Sequence, residues 1–200
     1  AFTLLFSSLS AFAGETWSAA YDNPKSFIEN KGQFNLPKGK TDKVLFAVDD
    51  QPSVIYFTAN GVAYTFVERI RKPKEKYQPK TNESIEKKQK ECNTTTKTDM
   101  VYFEWEGANK NVQVVSEEET KDYFSYSFKE GISEKNINYI KGFKKITYKN
   151  LYANIDVEYV FHPQGGLKYS IILHPGADVS KVKMKYEGDI SINEAGEVIM

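Results

Sequence analysis

The sequence predicts an all-β fold, an antiparallel β-sandwich-like domain built from hairpins and carrying one long charged loop. Aromatic residues make up 14% of the chain, with 13 Tyr and 13 Phe, and these residue types favour the half-buried surface of a sheet. Short runs of aromatic and β-branched residues alternate with polar ones at period two, and turn-forming residues separate the runs. No stretch of normal helix length shows a 3.6-residue period. These observations are typical of a sandwich or barrel of short strands.

The length and net charge of the chain limit how many domains it can form and which kinds of partner it is expected to bind. Its 200 residues are enough to bury a real core as one domain or as two small ones. With 27 basic and 27 acidic residues the net charge is zero, which gives no electrostatic reason to expect nucleic acid or an anionic membrane as a partner. Residues 16–70 and 99–200 form either one sandwich or two packed β-units. We favour one β-domain over residues 14–200, because neither part alone shows enough strands for a closed core.

The first thirteen residues, AFTLLFSSLSAFA, differ in composition from the rest of the chain. They carry no charge and end in Ala-Phe-Ala, which matches the apolar region and cleavage site of a secretory signal peptide. We therefore expect a secreted or outer-surface protein whose mature chain begins near Gly14. A membrane span needs roughly 20 apolar residues, so none is expected here. The alternative interpretation is a buried N-terminal strand or helix.

The first predicted hairpin lies in the first half of the chain. KVLFAV (43–48) and SVIYFT (53–58) are two short β-type runs, and VAYTFVERI (62–70) alternates apolar and polar residues. The Ala-Asn-Gly sequence at 59–61 separates the last two runs. Because Asn-Gly between alternating runs is a hairpin signal, these two runs are predicted to pair.

Residues 71–98 predict a long, solvated loop. This stretch is rich in Lys and Glu, contains two prolines and has few large apolar side chains, so it cannot bury enough surface to offset its ordering entropy. A frayed helix over 83–90 is an alternative for part of it. Cys92, the only cysteine, lies in this loop. An exported chain with one cysteine has no internal disulfide, and we expect Cys92 to be an exposed, incidental thiol.

Further β-type runs follow the loop. We expect strands in MVYFEWEGAN (100–109), NVQVVS (111–116), DYFSYSF (122–128), FKKITYKNLY (143–152), VSKVKMKYEG (179–188), ISI (190–192) and EVIM (197–200). The turn Ala108-Asn109-Lys110 predicts that the first two of these form a hairpin. The chain ends within the last predicted strand, so we expect the domain to continue beyond Met200.

Residues 152–188 contain both histidines, and their pattern decides between a reactive site and a sheet. Two runs of period two, 155–161 and 167–173, predict a hairpin with apolar side chains at the odd positions. A three-residue loop, Gln164-Gly165-Gly166, would pair odd positions with odd ones and place His174 opposite Asp156 on the outer face.

The two histidines are expected to have surface roles. In this hairpin His162 and His174 stand at opposite ends of a strand, roughly 20 Å apart at about 3.3 Å per residue. One subunit therefore cannot bring them to a shared metal or active site. The residues predict no catalytic, cofactor-binding or metal-binding group here.

Other chemical signals are weak. The sequence has no nucleophile elbow, phosphate-binding loop or zinc-ligand spacing. Asp49, Asp50 and Asp156 have the oxygen ligands that calcium prefers, but no loop has a calcium-binding spacing, so Ca²⁺ remains a minor alternative. Glu104 and Glu106 flank Trp105 and are expected to solvate the outer face of a strand. A carboxylate pair for glycoside hydrolysis stays open, because such pairs meet only in space.

Five segments carry a resemblance to a known family: FIENKGQF (27–34), YFTANGVAYTF (56–66), WEGANKNVQVV (105–115), FKKITYKNLYANIDVEY (143–159) and GGLKYSIILHPGADVSKVKMKYEG (165–188). In this order they resemble the N-terminal domain of large secreted proteins of Bacteroidetes. In that family, bead-like repeats, PKD-type β-domains and a gliding-motility-associated C-terminal domain for type IX secretion follow downstream. The resemblance implies a cell-surface or released protein and transfers no catalytic residue.

The expected function is therefore a non-enzymatic adhesive, matrix or structural role at the outer cell surface. The expected partner is a surface glycan or protein, with Tyr21, Tyr77 and Tyr126 as candidate exposed aromatic contacts. One alternative is an extracellular hydrolase or its carbohydrate-binding accessory domain. Another is an N-terminal folding or export module with no role outside the cell.

Overall fold

The computed structural model describes residues 25–37, 40–50, 53–71, 94–130, 133–187 and 190–199. These ranges form an all-β domain with antiparallel strand pairing and one 3-10 turn at Val179–Lys181. The strands are β1 Phe27–Glu29, β2 Val44–Asp50, β3 Ser53–Thr58, β4 Gly61–Arg71, β5 Thr94–Trp105, β6 Gln113–Glu130, β7 Ser133–Tyr152, β8 Ile155–Phe161, β9 Leu167–Leu173, β10 Met184–Glu187, β11 Ser191–Ile192 and β12 Val198–Ile199.

One ten-stranded sheet folds over to form both layers of a sandwich. Its neighbour order is β10-β5-β4-β3-β2-β1-β7-β8-β9, and β6 pairs with β7 on the side away from β8. The first layer contains β10, β5, β4, β3 and β2, and the second contains β9, β8, β7 and β6. The short strand β1 pairs with both β2 and β7, so it joins the layers. Strands β11 and β12 form a separate two-stranded sheet.

The main core lies between the two layers. The alternating strands direct aromatic and aliphatic side chains inward, and rings from opposite layers meet there. Phe57 of β3 contacts Tyr159 of β8 edge to face, with ring centroids 5.2 Å apart. The buried hydroxyl of Tyr148 in β7 donates to the Thr58 carbonyl of β3 at 2.8 Å. These contacts fix β7 and β8 over β3.

A second, smaller core lies on the face of β2 and β3 that points away from the main core. The far half of the β6–β7 hairpin packs there together with the loop after β1. Phe34 contacts Tyr126 at 5.1 Å between ring centroids, and the Tyr126 hydroxyl donates to Asp49 Oδ2 at 3.0 Å. Register shifts between Glu119 and Tyr123, and again between Phe124 and Tyr126, interrupt the ladder where the hairpin leaves the main sheet. Tyr126, a predicted exposed contact, is half-buried and belongs to this core.

The β3–β4 hairpin agrees with its prediction from the sequence. Its strands pair in register, and Thr58 Oγ1 accepts hydrogen bonds from the backbone amides of Asn60 and Gly61. A Cβ on Gly61 would lie 2.0 Å from the Phe103 carbonyl oxygen of β5. The position therefore requires glycine because β5 passes so close to the turn.

The predicted hairpin between 100–109 and 111–116 is wrong. Strand β5 pairs with β4 and β10, whereas β6 pairs with β7. The turn instead carries the chain from one layer to the other, because Asn109 N donates to the Leu151 carbonyl of the second layer at 2.8 Å. Residues 113–116 of the first run and all of 122–128 are parts of the single long strand β6.

Strands extend into the predicted loop 71–98 at both ends, since Arg71 ends β4 and Thr94–Thr98 begin β5. These flanks pair with each other, which satisfies their backbone groups although their side chains are polar.

Some predictions fall on residues outside the described ranges: residues 1–13, Tyr21, Tyr77, the alternative helix at 83–90 and Cys92. In the described ranges no helix is long and apolar enough to cross a membrane.

The β8–β9 hairpin forms with the predicted strands but with a shifted register. Odd positions pair with odd ones as predicted, yet Asp156 lies opposite Ile172 rather than His174. The His162 amide donates to the Gly166 carbonyl, so the three-residue loop is Pro163-Gln164-Gly165, one position earlier than predicted. Gly165 and Gly166 both adopt positive φ, which permits this tight closure.

Candidate functional site

The edge strand β9 exposes apolar side chains that the alternation predicts to be buried. Tyr169, Ile171 and Leu173 are 43%, 37% and 53% exposed, although they lie on the inner face of the second layer. No other described strand pairs with β9 on its outer side. We call these three residues and their backbone the β9 edge.

The β9 edge lies beside an aromatic cluster at the open side of the sandwich. The ring of Tyr169 is 6.1 Å from the ring of Trp105 in β5 and 6.1 Å from that of Tyr159 in β8. Tyr64 of β4 is close by, and burial, followed by its neighbours Tyr186 and Tyr169, raises its pKa to about 12. The surface beneath the edge is therefore aromatic, and its Trp105 and Tyr159 rings are buried.

The backbone of the β9 edge points away from β8. The His174 amide donates to the Asn154 carbonyl, and the His162 amide donates to the Gly166 carbonyl. In an antiparallel ladder such pairs recur every second residue, so Ser170 and its even-numbered neighbours direct their amides toward β8. The odd-numbered residues direct theirs outward. The same residues thus supply both the outward amides and the exposed apolar side chains.

Other free edges in the described part of the chain have features that discourage pairing. Strand β6 carries Glu117, Glu118 and Glu119 in succession, and Glu118 has a φ of 59°. Its ladder with β7 shifts register just beyond, between Glu119 and Tyr123 and between Phe124 and Tyr126. Strand β10 has only four residues, and two of them, Lys185 and Glu187, are charged and exposed. Natural sheets protect their edges with charge, irregularity and shortness of this kind. Strand β9 has seven regular residues and one charge, Lys168.

A polar cluster surrounds Asp156 on the outer face of β8. Asp156 is 3% exposed, in contrast to its predicted place on an open outer face. Its Oδ1 accepts from the Asn150 amide at 2.7 Å, and its Oδ2 lies 3.0 Å from Lys149 Nζ and 3.1 Å from His174 Nε2. The predicted contact between Asp156 and His174 therefore forms, but along a diagonal of the ladder.

The partners of Asp156 keep it ionised. Burial alone would raise its pKa, but the hydrogen bond from the Asn150 amide and the contacts with His174 and Lys149 outweigh burial and lower the pKa below 3.8. The carboxylate joins the end of β7 to the turn after β9. This arrangement stabilises a corner of the sheet, and within the described residues no hydroxyl or thiol nucleophile is among the hydrogen-bond or ion-pair partners of Asp156.

The two histidines occupy opposite ends of β9, as the sequence predicts. His162 lies in the hairpin loop, where its Nδ1 accepts from the Gln164 amide at 3.2 Å, and the side chains of both histidines are exposed.

Of the predicted calcium ligands, Asp50 pairs with Lys25 and Asp49 accepts from Tyr126. Within the described ranges, no three His, Cys, Asp or Glu side chains come together as a metal site.

An open cleft of about 450 Å³ lies where β5 meets the turns after β3 and β5. Asp42, Glu104 and Lys110 are among the groups that line it, and Trp105 forms part of its wall. Asp42 Oδ1 accepts from Asn60 Nδ2 at 2.8 Å. Glu104 thus lines a cleft, in addition to the solvating role that the sequence predicts.

Comparison with known proteins places the chain in a family. A family model matches residues 27–200, which begin at the first residue of β1. The chain belongs to the DUF7948 family. This family is described as a domain of unknown function. No curated protein and no solved structure matches the chain.

The β9 edge was missed by sequence reasoning because alternation reports which face a residue occupies, not whether another element covers it. Tyr169 and Ile171 have the same pattern as the fully buried Val157 and Tyr159 of β8. One signal was available. LKYSIIL carries a single charge and no Pro, whereas edge strands normally carry protective residues.

Proposed function

We propose that this DUF7948 chain is a non-enzymatic domain of a secreted or cell-surface bacterial protein, with an adhesive, matrix or structural role. Its contact surface is the β9 edge. The observation that carries the proposal is the combination of outward backbone amides with the exposed side chains of Tyr169, Ile171 and Leu173. The signal-peptide-like residues 1–13 and the resemblance to secreted surface proteins support the location.

The chemistry of the edge favours a polypeptide partner. An extended segment that adds to a sheet edge gains main-chain hydrogen bonds, and alternate side chains supply specificity. Exposed apolar side chains gain further from leaving water. A surface protein satisfies both requirements, whereas a glycan would use only the exposed ring of Tyr169.

Binding by the full chain tests the proposed role. We would measure binding to intact bacterial cells, purified surface proteins and surface polysaccharides, for the wild type and for Ile171→Lys. The lysine should weaken binding at least about tenfold, because it places a charge at the centre of the contact. Ile192→Lys is the matched control, since Ile192 is 70% exposed in β11 and lies outside the edge. Equal binding by both variants, or none by the wild type, would refute the role.

Location is tested separately. The protein, expressed from its complete gene in a bacterium with type IX secretion, should appear outside the cell with a mature N-terminus at or near Gly14, as measured by mass spectrometry. Loss of extracellular protein when type IX secretion is disabled would support the route that the resemblance implies. Retention of an uncleaved chain in the cytoplasm would contradict secretion.

One observation favours a second candidate function, an extracellular hydrolase or its carbohydrate-binding accessory domain. Asp42 and Glu104 line the same cleft, and a pair of carboxylates is what glycoside hydrolysis uses. A panel of polysaccharides would be tested for turnover with the wild type, Asp42→Asn and Glu104→Gln. Turnover that both substitutions abolish would establish the hydrolase, and absence of turnover with binding intact would support the binding role.

A further inference from the structure

We infer that the β9 edge pairs antiparallel with the β9 edge of a second copy, with a two-fold axis at Ser170. The inference rests on the proposed function, because it names the partner for the same surface. It extends the second layer of the sandwich from one copy into the next, so that β8-β9 continues directly into β9-β8 of the partner.

The backbone restricts the register. The odd-numbered residues of β9 carry the outward amides and carbonyls, so hydrogen-bonded pairs must join odd positions to odd positions. A pairing of odd with even would also turn the apolar side chains of one copy to the outer face. Among the remaining registers, centring on Ser170 pairs all seven residues of Leu167–Leu173 with their counterparts.

The side chains match in this register. On the inner face Tyr169 lies opposite Ile171 of the second copy, and Leu167 lies opposite Leu173. Such aromatic–aliphatic and aliphatic pairs are favourable across strands. On the outer face Lys168 lies opposite Ile172 of the second copy, so the two lysines do not face each other. The two Lys168 residues are offset by four positions, or about 13 Å, which prevents close repulsion.

The self-match favours a second copy over an unrelated strand. Strand β9 has no row of charges that an oppositely charged peptide would recognise, and its single charge, Lys168, lies where self-pairing tolerates it. The edges β6 and β10 offer no equivalent match, because β6 presents Glu117–Glu119 and an irregular backbone, and β10 is short and charged.

The mass of the full chain in solution tests the inference. Sedimentation velocity over a wide concentration range should show a reversible monomer–dimer equilibrium. Ile171→Lys should raise the dissociation constant at least about tenfold, and the control Ile192→Lys should leave it unchanged. Circular dichroism of both variants checks that they fold, and Tyr169→Ser provides a second, uncharged variant at the same contact.

Disulfide trapping tests the register. Ser170 would face Ser170 of the second copy in a non-hydrogen-bonded pair, where Cα atoms lie about 4.5 Å apart and a disulfide can form. In a Cys92→Ser background, Ser170→Cys should give a covalent dimer on mild oxidation. Lys168→Cys is the control on the same strand and face, because its counterpart lies about 13 Å away.

A chain that stays monomeric at all concentrations would overturn the inference, and so would a dimer that Ile171→Lys does not weaken. Efficient cross-linking through Lys168→Cys but not Ser170→Cys would overturn the register. A monomer that still binds surface proteins through the β9 edge would leave the proposed function intact and refute only the second copy as partner.

Discussion

Asp156 shows how one buried side chain fixes the local geometry. A carboxylate that is 3% exposed requires partners, and Lys149, His174 and the Asn150 amide supply them from β7 and from the turn after β9. The sequence predicts the meeting of Asp156 with His174. It does not predict the burial, because Lys149 and the backbone of Asn150 approach only once the turn between β7 and β8 has formed.

The lowered pKa of Asp156 makes folding stability depend on pH. A depressed pKa stabilises the folded state above the unfolded value of 3.8, and this contribution is lost as pH falls through the lower folded value. Asp156→Asn should therefore cost about 1–3 kcal/mol at neutral pH and progressively less below about pH 4. Urea unfolding of both proteins from pH 7 to pH 2 measures this difference.

Asp50→Asn is the matched control for this prediction. Asp50 pairs with Lys25, but its side chain is 57% exposed, and exposed pairs contribute little to stability. If the free energy of unfolding differed between the wild type and Asp156→Asn by the same amount at every pH, the charge of the carboxylate would not contribute to stability, which would contradict the prediction.

At the scale of elements, turn chemistry and alternation predict the hairpins that are local in sequence. The β3–β4 turn follows from Asn60-Gly61, and the β8–β9 pairing follows from the glycines at 165 and 166. The pairing of β6 with β7 instead of β5 was not predictable, because a turn at Ala108–Lys110 does not reveal that the chain crosses between layers. Such crossings depend on distant contacts, here with Leu151.

Gly61 is expected to be indispensable to the β3–β4–β5 unit. A Cβ there would overlap the Phe103 carbonyl, and backbone cannot yield as a flexible side chain can. Gly61→Ala should lower the free energy of unfolding by about 2 kcal/mol or more. Gly166→Ala has open space around its Cβ but a φ of +84°, so it should cost only about 1 kcal/mol. A smaller effect at Gly61 than at Gly166 would contradict the close approach.

At the scale of the whole molecule, buried tyrosines join the two layers. Tyr148 is completely buried and Tyr159 is 1% exposed, and burial raises the pKa of both phenols well above 10. Period-two alternation predicts that Tyr159 faces inward. Which strands lie opposite it, and which edge of the folded sheet stays open, depend on strand order. Strand order is a property of the complete chain and not of any segment.

The buried phenols predict alkaline unfolding. Raised folded pKa values stabilise the protein fully below about pH 10, and this stability is lost as pH rises further, because the unfolded state releases the protons first. Tyr148→Phe should weaken this pH dependence while costing about 1 kcal/mol at pH 7 through loss of the bond to Thr58. Thermal unfolding between pH 7 and 11 measures the effect. An equally steep fall of the unfolding temperature with pH in Tyr148→Phe and in the wild type would contradict this prediction. Tyr123→Phe is the control, because the Tyr123 side chain is exposed.

The interaction surface is the central claim at this scale, and residue-resolved amide hydrogen exchange of the full chain tests it most directly. At low concentration the amides of Ser170 and Ile172, bonded to β8, should exchange slowly, and those of Tyr169, Ile171 and Leu173 should exchange fast. Raising the concentration should protect the odd-numbered amides alone. Odd-numbered amides that are protected equally at every concentration, or that stay unprotected when a partner is bound, would contradict the claim.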